Sequence, residues 1–244
     1  MSSGNERTPH VVSIHQPEFF PWLGFIDKMR QCDTFVLLDS VQYEKNYFQN
    51  RNKIRTAWGW AWITLPVLTK GLFGQTIDLV KIENGQAWGR KHLQSIKQSY
   101  QSAPFLDKYF GELESIYKCS WDLLADLNIA VIRWLADSFA LKVKFIRSSE
   151  LAVTGKKTEL LLNICKTLKA HTYLSGVSGR DYLEESLFKQ EGIAVRYQDF
   201  HHPEYRQCYK PFLPMMSVLD LLFNEGPEGL KLIQAANSQS ASTK

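Results

Sequence analysis

The chain has 244 residues, 44% hydrophobic and 22% charged, a composition that excludes disordered and fibrous classes and supplies a sizeable core. A net charge of +4 falls short of the basic stripe of a nucleic-acid binder and favours anionic small ligands or acidic partners. No apolar segment is long enough to span a bilayer, and the 4 cysteines form no CxxC pair, so neither a membrane span nor a structural zinc site is expected. The polar start MSSGNERTPH lacks the apolar region of a signal peptide, and a cytoplasmic protein with reduced thiols is the expectation.

In chain order, residues 1–10 read as a flexible tail and Val11 to Ile14 as a short strand. Pro21 to Gln31 has helical spacing through Trp22, Phe25, Ile26 and Met29. Thr34 to Leu38 is continuously apolar and runs into Asp39, as a central parallel strand does. Strand, helix and strand in this order predict a βαβ unit with a right-handed crossover. Trp60 to Val67 predicts another strand, closed by Pro66, and Ile77 to Ile82 one more.

Between 88 and 140 the pattern turns helical, with one break at Pro104 and Ser120 in the cap position of the last helix. KVKFIRSS predicts a strand, Thr158 to Leu168 a helix, and HTYLSG a strand and turn. Asp181 to Lys189 predicts a helix, Ile193 to Phe200 a strand, and Ser217 to Ala236 a helix capped by Ser217 or Asp220. Residues 237–244 read as a second tail. The fold class that follows is α/β: three layers and a mostly parallel sheet, with a helical insertion at about 88–140 in a single domain over 11–236.

Ligands of open parallel sheets bind beyond the carboxyl ends of the strands, and polar residues collect at four such ends. His15 and Gln16 follow the first strand, where Trp22 and Gly24 open the next helix; free helix amides and an imidazole there suit an anion. Asp39 ends the second strand. After it, QYEKNYFQNRNKIR combines Lys45 and Arg51 with Gln42, Tyr43, Asn46, Gln49 and Asn50, a mixture suited to a polyanionic or sugar-like ligand. Single-stranded RNA is the weaker candidate for it.

SGVSG offers Ser175, Ser178, Gly176 and Gly179 before a helix, a setting for phosphate or ribose, although a plain tight turn fits the pattern equally. His202 follows the last strand; adjacent histidines without a third ligand do not make a metal site. Lys156 stands in TGKKTELLL, a basic helix start that lacks the earlier glycine of a phosphate-binding loop.

IHQPEFFPWLGFIDKM, FVLLDSVQYEKNYFQNRNKIR, WITLPV, YLSGVSGRDYL, HHPEYRQ and FLPMMSVLDLLFN together resemble the WbqC-like family, over roughly residues 11 to 235. That resemblance implies a transferase of surface-polysaccharide or related sugar biosynthesis that joins a glycyl or other acyl group to an amino sugar. Its small-molecule substrate would be anionic, such as a nucleotide-linked amino sugar.

The N-terminal strand, histidine-bearing turn and helix also look like the entry of HIGH-type nucleotidylyltransferases such as pantothenate synthetase. PWLGF stands where a second histidine is expected. This likeness implies ATP with Mg2+, an acyl-adenylate, and a site in which His15, Lys45 and Arg51 stabilise charge while Asp39 binds the amine or the metal. Two alternatives stay open: a thioester-dependent N-acyltransferase that does not use Cys32 as nucleophile, and a non-catalytic binding module for nucleotide sugars or polyanions. The aromatic content would also allow a homodimer interface.

Overall fold

The computed structural model describes residues 9–241. The tail expected at the N-terminus therefore lies outside the described residues up to residue 8, as do residues 242–244 of the C-terminal one.

Five strands form one parallel sheet in the order β5-β2-β1-β6-β7, with β1 at Val11–His15, β2 at Thr34–Leu37, β5 at Lys144–Arg147, β6 at Thr172–Ser175 and β7 at Ala194–Tyr197. β2 is buried at every position, which explains its unbroken apolar sequence. The chain builds outward from β1 to β2 and β5, then returns to β1 and builds the other way through β6 and β7. The sheet thus has a topological switch point between the carboxyl ends of β1 and β6.

Helices cover both faces, giving the three layers expected. On one face Val12, Ile14, Val36 and Tyr173 pack against α5 (Lys157–Thr167) and α6 (Glu185–Gln190). On the other, Phe35, Leu37 and Leu174 join a larger core. It contains α1 (Leu23–Arg30), the inserted helices α2 (Trp88–Ser99), α3 (Leu106–Lys118) and α4 (Leu124–Ser138), and α7 (Val218–Glu225) with α8 (Gly229–Ala241).

Several local expectations change. Arg51–Thr56, read as part of a polar loop, is strand β3, which pairs antiparallel with β4 (Gly59–Thr64) in a hairpin outside the main sheet. Its charges conceal the alternation: Asn52 and Ile54 point inward, and Asn52 is satisfied by donating from Nδ2 to the Phe20 carbonyl at 2.8 Å. Ile77–Leu79 is a single 3-10 turn rather than a strand, because Leu79 turns out to solvent while Ile77 and Val80 enter the core.

Of the helix expected from Asp181 to Lys189, Asp181 closes a 3-10 turn over Val177–Asp181, and the helix proper starts only at Glu185. Neither Ser120 nor Ser217 caps with its side chain: α4 starts at Leu124, and α7 begins without a side-chain cap bond. Asp220 lies inside α7 and accepts from Tyr205 Oη and Gln207 Nε2 at 2.8 and 2.7 Å. The terminal helix breaks at Gly226, whose φ of +59° falls where glycine is favoured, and α8 continues to Ala241 into the stretch read as tail.

Candidate active site at the switch point

The bend IHQPEFFPW leaves β1 at the switch point and is held from three directions. Asn128 on α4 donates from Nδ2 to the Pro17 and Gln49 carbonyls at 3.1 and 2.7 Å, tying the helical insertion to both lips of the site. Phe19 donates its amide to the Phe48 carbonyl at 2.9 Å. Phe19 and Phe20 anchor the bend in the core, and Phe20 adopts a left-handed φ of +45°, a conformation that surrounding packing must sustain. Gly24 then lets the Trp22 indole fold back over α1, since a Cβ there would stand 2.2 Å from the ring.

Beneath the bend opens a cavity of about 620 Å3. His15, Gln16, Glu18 and Trp22 come from the bend, Lys28 from the helix that follows, and Asn52 and Lys53 from β3. Glu44, Tyr47 and Phe48 form one rim, and Gly176, Ser178 and Tyr182 after β6 form another. A neighbouring space of about 410 Å3 shares His15, Trp22, Lys28, Gly176 and Ser178 and adds Gly24.

Three ionisable groups lie on the floor. His15 rests its ring edge on Phe25 at 4.9 Å and keeps 28% of its side chain exposed toward the cavity. With Nδ1–H donating to the Gln16 carbonyl at 3.0 Å, Nε2 carries the free lone pair, and Glu18 Oε1 is 4.0 Å from it. Burial, reinforced by the Lys28 charge, pushes the imidazole down to about 3. Burial pushes the Glu18 carboxyl up to about 8 against the opposing pull of Lys28.

Lys28 is 3% exposed, donates from Nζ to the Ile14 carbonyl at 2.9 Å, and is brought down to about 8 by burial. Near neutral pH the site therefore holds a neutral imidazole beside a protonated carboxyl, with an ammonium close to its titration point. Glu18 Oε2 is buried without a hydrogen-bond partner, an unmet polar atom on the wall of a cavity.

The WbqC-like protein family matches residues 16–232. The chain belongs to that family. It is also 33% identical over 219 residues to the uncharacterized protein Rv1507c of Mycobacterium tuberculosis, covering 89% of this chain and 94% of that one. No solved structure matches significantly.

In this WbqC-like chain the cavity gathers His15, Gln16, Trp22, Gly176 and Ser178 of the expected site residues, with Gly24 at its side. Gln49 stands just behind, donating from Nε2 to Gln16 Oε1 at 2.6 Å and so orienting that carboxamide. The others lie elsewhere. Asp39 is fully buried, accepting from Arg147 Nε at 2.7 Å, from Ser148 Oγ at 3.1 Å, and from the amide and hydroxyl of Ser149 at 2.9 Å each. A carboxylate so engaged is not free to hold Mg2+ or an amine.

Arg51 lies outside the cavity, donating to the Asn46 carbonyl and covering Trp62, while Lys45, Gln42 and Asn46 are exposed on the loop. Asn50 is turned to the Leu65 carbonyl, and Tyr43 is buried against the following loop. Ser175 is buried beneath Gly179, where a Cβ would strike its hydroxyl. His202 braces Met215, accepting its amide at 3.1 Å, and Lys156 is exposed before α5.

Glu18 and Lys28 went unrecognised in the sequence. Glu18 carries one available signal, an acid three residues after a strand-end histidine. Lys28 carries none, because it follows Asp27 in an amphipathic helix and reads as solvated surface. Cys32, donating to the Met29 carbonyl at 3.4 Å, has its thiol pushed up to about 12 by burial and is no nucleophile.

Among the described residues no group of three His, Cys, Asp or Glu could hold a metal ion. No helix among them is long and apolar enough to cross a membrane.

Proposed function

We propose that the protein transfers an activated acyl or aminoacyl group to the amine of a sugar, with His15 and Glu18 moving the protons. Membership of the WbqC-like family supports a place in polysaccharide or sugar biosynthesis. The observation that carries the chemistry is the opposed pair on the cavity floor: an unprotonated Nε2 4.0 Å from a carboxyl that keeps its proton to about pH 8.

In this reading the amine nitrogen attacks the acyl carbon, a C–N bond forms, and the bond to the leaving group breaks. The leaving group takes the Glu18 proton. The carboxylate so formed raises the basicity of the imidazole beside it, and His15 Nε2 receives the proton the nitrogen loses. Imidazolium then returns that proton to Glu18, because burial favours the neutral form of both, and the site is reset. In this reading the Lys28 ammonium, which lines the cavity, stabilises negative charge on the acyl oxygen. Gln16 and Ser178 offer hydrogen bonds to sugar hydroxyls, and a cavity of about 620 Å3 suits one substituted sugar ring with its donor group.

The test is amide formation followed by mass spectrometry, pairing glycine and ATP, or acetyl-CoA, with amino sugars. Turnover with one donor class identifies the leaving group, and His15→Ala is expected to abolish it while the melting curve stays near wild type. A His15→Ala protein of wild-type rate would overturn the assignment. A second reading, a non-catalytic binding module, is favoured by the unpartnered Glu18 oxygen alone and predicts ligand stabilisation without any product.

A further inference from the structure

The β3–β4 hairpin turns an aromatic face outward that the acyl-transfer chemistry leaves unused. Trp60 and Trp62 stand two residues apart on β4 and so share a face, and they remain 47% and 38% exposed. Their indoles meet edge to face at 5.6 Å, Phe48 lies 6.3 Å from Trp62, and Tyr47 lies 5.2 Å from Phe48. Tyr47 and Phe48 both line the cavity, so the rings run as one series from its mouth onto the hairpin.

Cations sit along the series. The Arg51 guanidinium is 4.4 Å from the Trp62 centroid, and the Lys53 ammonium is 4.5 Å from Trp60 and 5.4 Å from Trp62. Lys53 lines the cavity as well, and Arg51 Nε is buried without a hydrogen-bond partner. Exposed rings interleaved with cations, continuous with a cavity that holds a reacting pair, call for a ligand with a π face and negative charge together. A neutral glycan would use the rings and leave the cations idle.

We propose that this face binds the nucleotide end of a nucleotide-linked amino sugar, with the base stacked on the Tyr47–Trp62 series and the phosphates met by Lys53 and Arg51. The sugar amine then enters the cavity toward His15. The assignment rests on the acyl-transfer reading for the destination of the amine, and on the hairpin alone for the platform.

The experiment titrates intrinsic tryptophan fluorescence of the full chain with UDP, ADP, glucosamine, UDP-glucosamine and farnesyl diphosphate. The nucleoside diphosphates and UDP-glucosamine are expected to bind at least about 10-fold more tightly than glucosamine, with affinity falling as salt rises. Trp62→Ala and Lys53→Gln are each expected to weaken that binding about 10-fold, whereas Trp62→Phe keeps most of it. Lys53→Gln alters a partly exposed polar side chain, so it reads the platform even where a tryptophan variant folds poorly.

Equal affinity for glucosamine and UDP-glucosamine, or unchanged UDP affinity in Lys53→Gln, would overturn the proposal. So would tighter binding of farnesyl diphosphate than of UDP, or fluorescence that tracks self-association of the chain. Amide formation by the wild-type protein without UDP binding would remove the platform and leave acyl transfer standing. UDP binding without amide formation would do the reverse.

Discussion

Replacing Glu18 by glutamine keeps the shape of the side chain and removes its titration, so it isolates the electrostatic cost of the site. In the unfolded chain the carboxyl loses its proton near 4.5, whereas in the fold it keeps the proton to about 8. Between those values the folded state binds more protons than the unfolded state, and the stability it lends at low pH is lost as pH rises through that window. At about 1.4 kcal/mol per pH unit, the cost in the wild type reaches roughly 3 kcal/mol at pH 7 and saturates near 5 kcal/mol above pH 8.

Glu18→Gln is therefore expected to match the wild type in stability near pH 4. Near pH 8 it should exceed it by several kcal/mol, about 2–4 °C in Tm for each kcal/mol in a chain of this size. Denaturant melts of both proteins at a series of pH values measure the difference directly, and the same variant is expected to lose turnover, having no proton to give. A stability difference that does not grow between pH 5 and pH 8, or a glutamine variant less stable than wild type at pH 8, would refute the buried neutral carboxyl.

Other residues give sharper local tests. His15→Asn should remove an opposite dependence: the imidazole is pushed down to about 3 from 6.5, so the wild type loses stability as pH falls through that interval and the variant does not, which acid melts can compare. Gly24→Ala would place a Cβ 2.2 Å from the Trp22 ring, and is expected to cost about 1–3 kcal/mol and displace the indole from the cavity wall, visible in near-UV circular dichroism. Asp39→Asn should cost about 3 kcal/mol by leaving Arg147 short of its buried partner, with loosening where β5 meets β2 detectable by hydrogen exchange. Wild-type protection in that variant would show that the Asp39 network holds nothing together.

The sequence by itself determined the strands of the parallel sheet and the convergence of His15, Gln16, Gly176 and Ser178, because strand runs are local patterns and parallel strands deliver their carboxyl ends to one edge. It could not determine which charged side chains enter that edge. Arg51 and Asp39 carried the chemical types the cavity wanted, yet the fold sets both outside it: Arg51 on the hairpin against Trp62 and the Asn46 carbonyl, and Asp39 against Arg147 with two serines, more than 100 residues away. Lys28 looked like solvated helix surface, and only packing of the bend and sheet around it left its ammonium facing the Ile14 carbonyl and the cavity. Burial is set by what the distant chain lays over a residue, and burial is what turned Glu18 and Lys28 from ordinary surface charges into groups that titrate near neutrality.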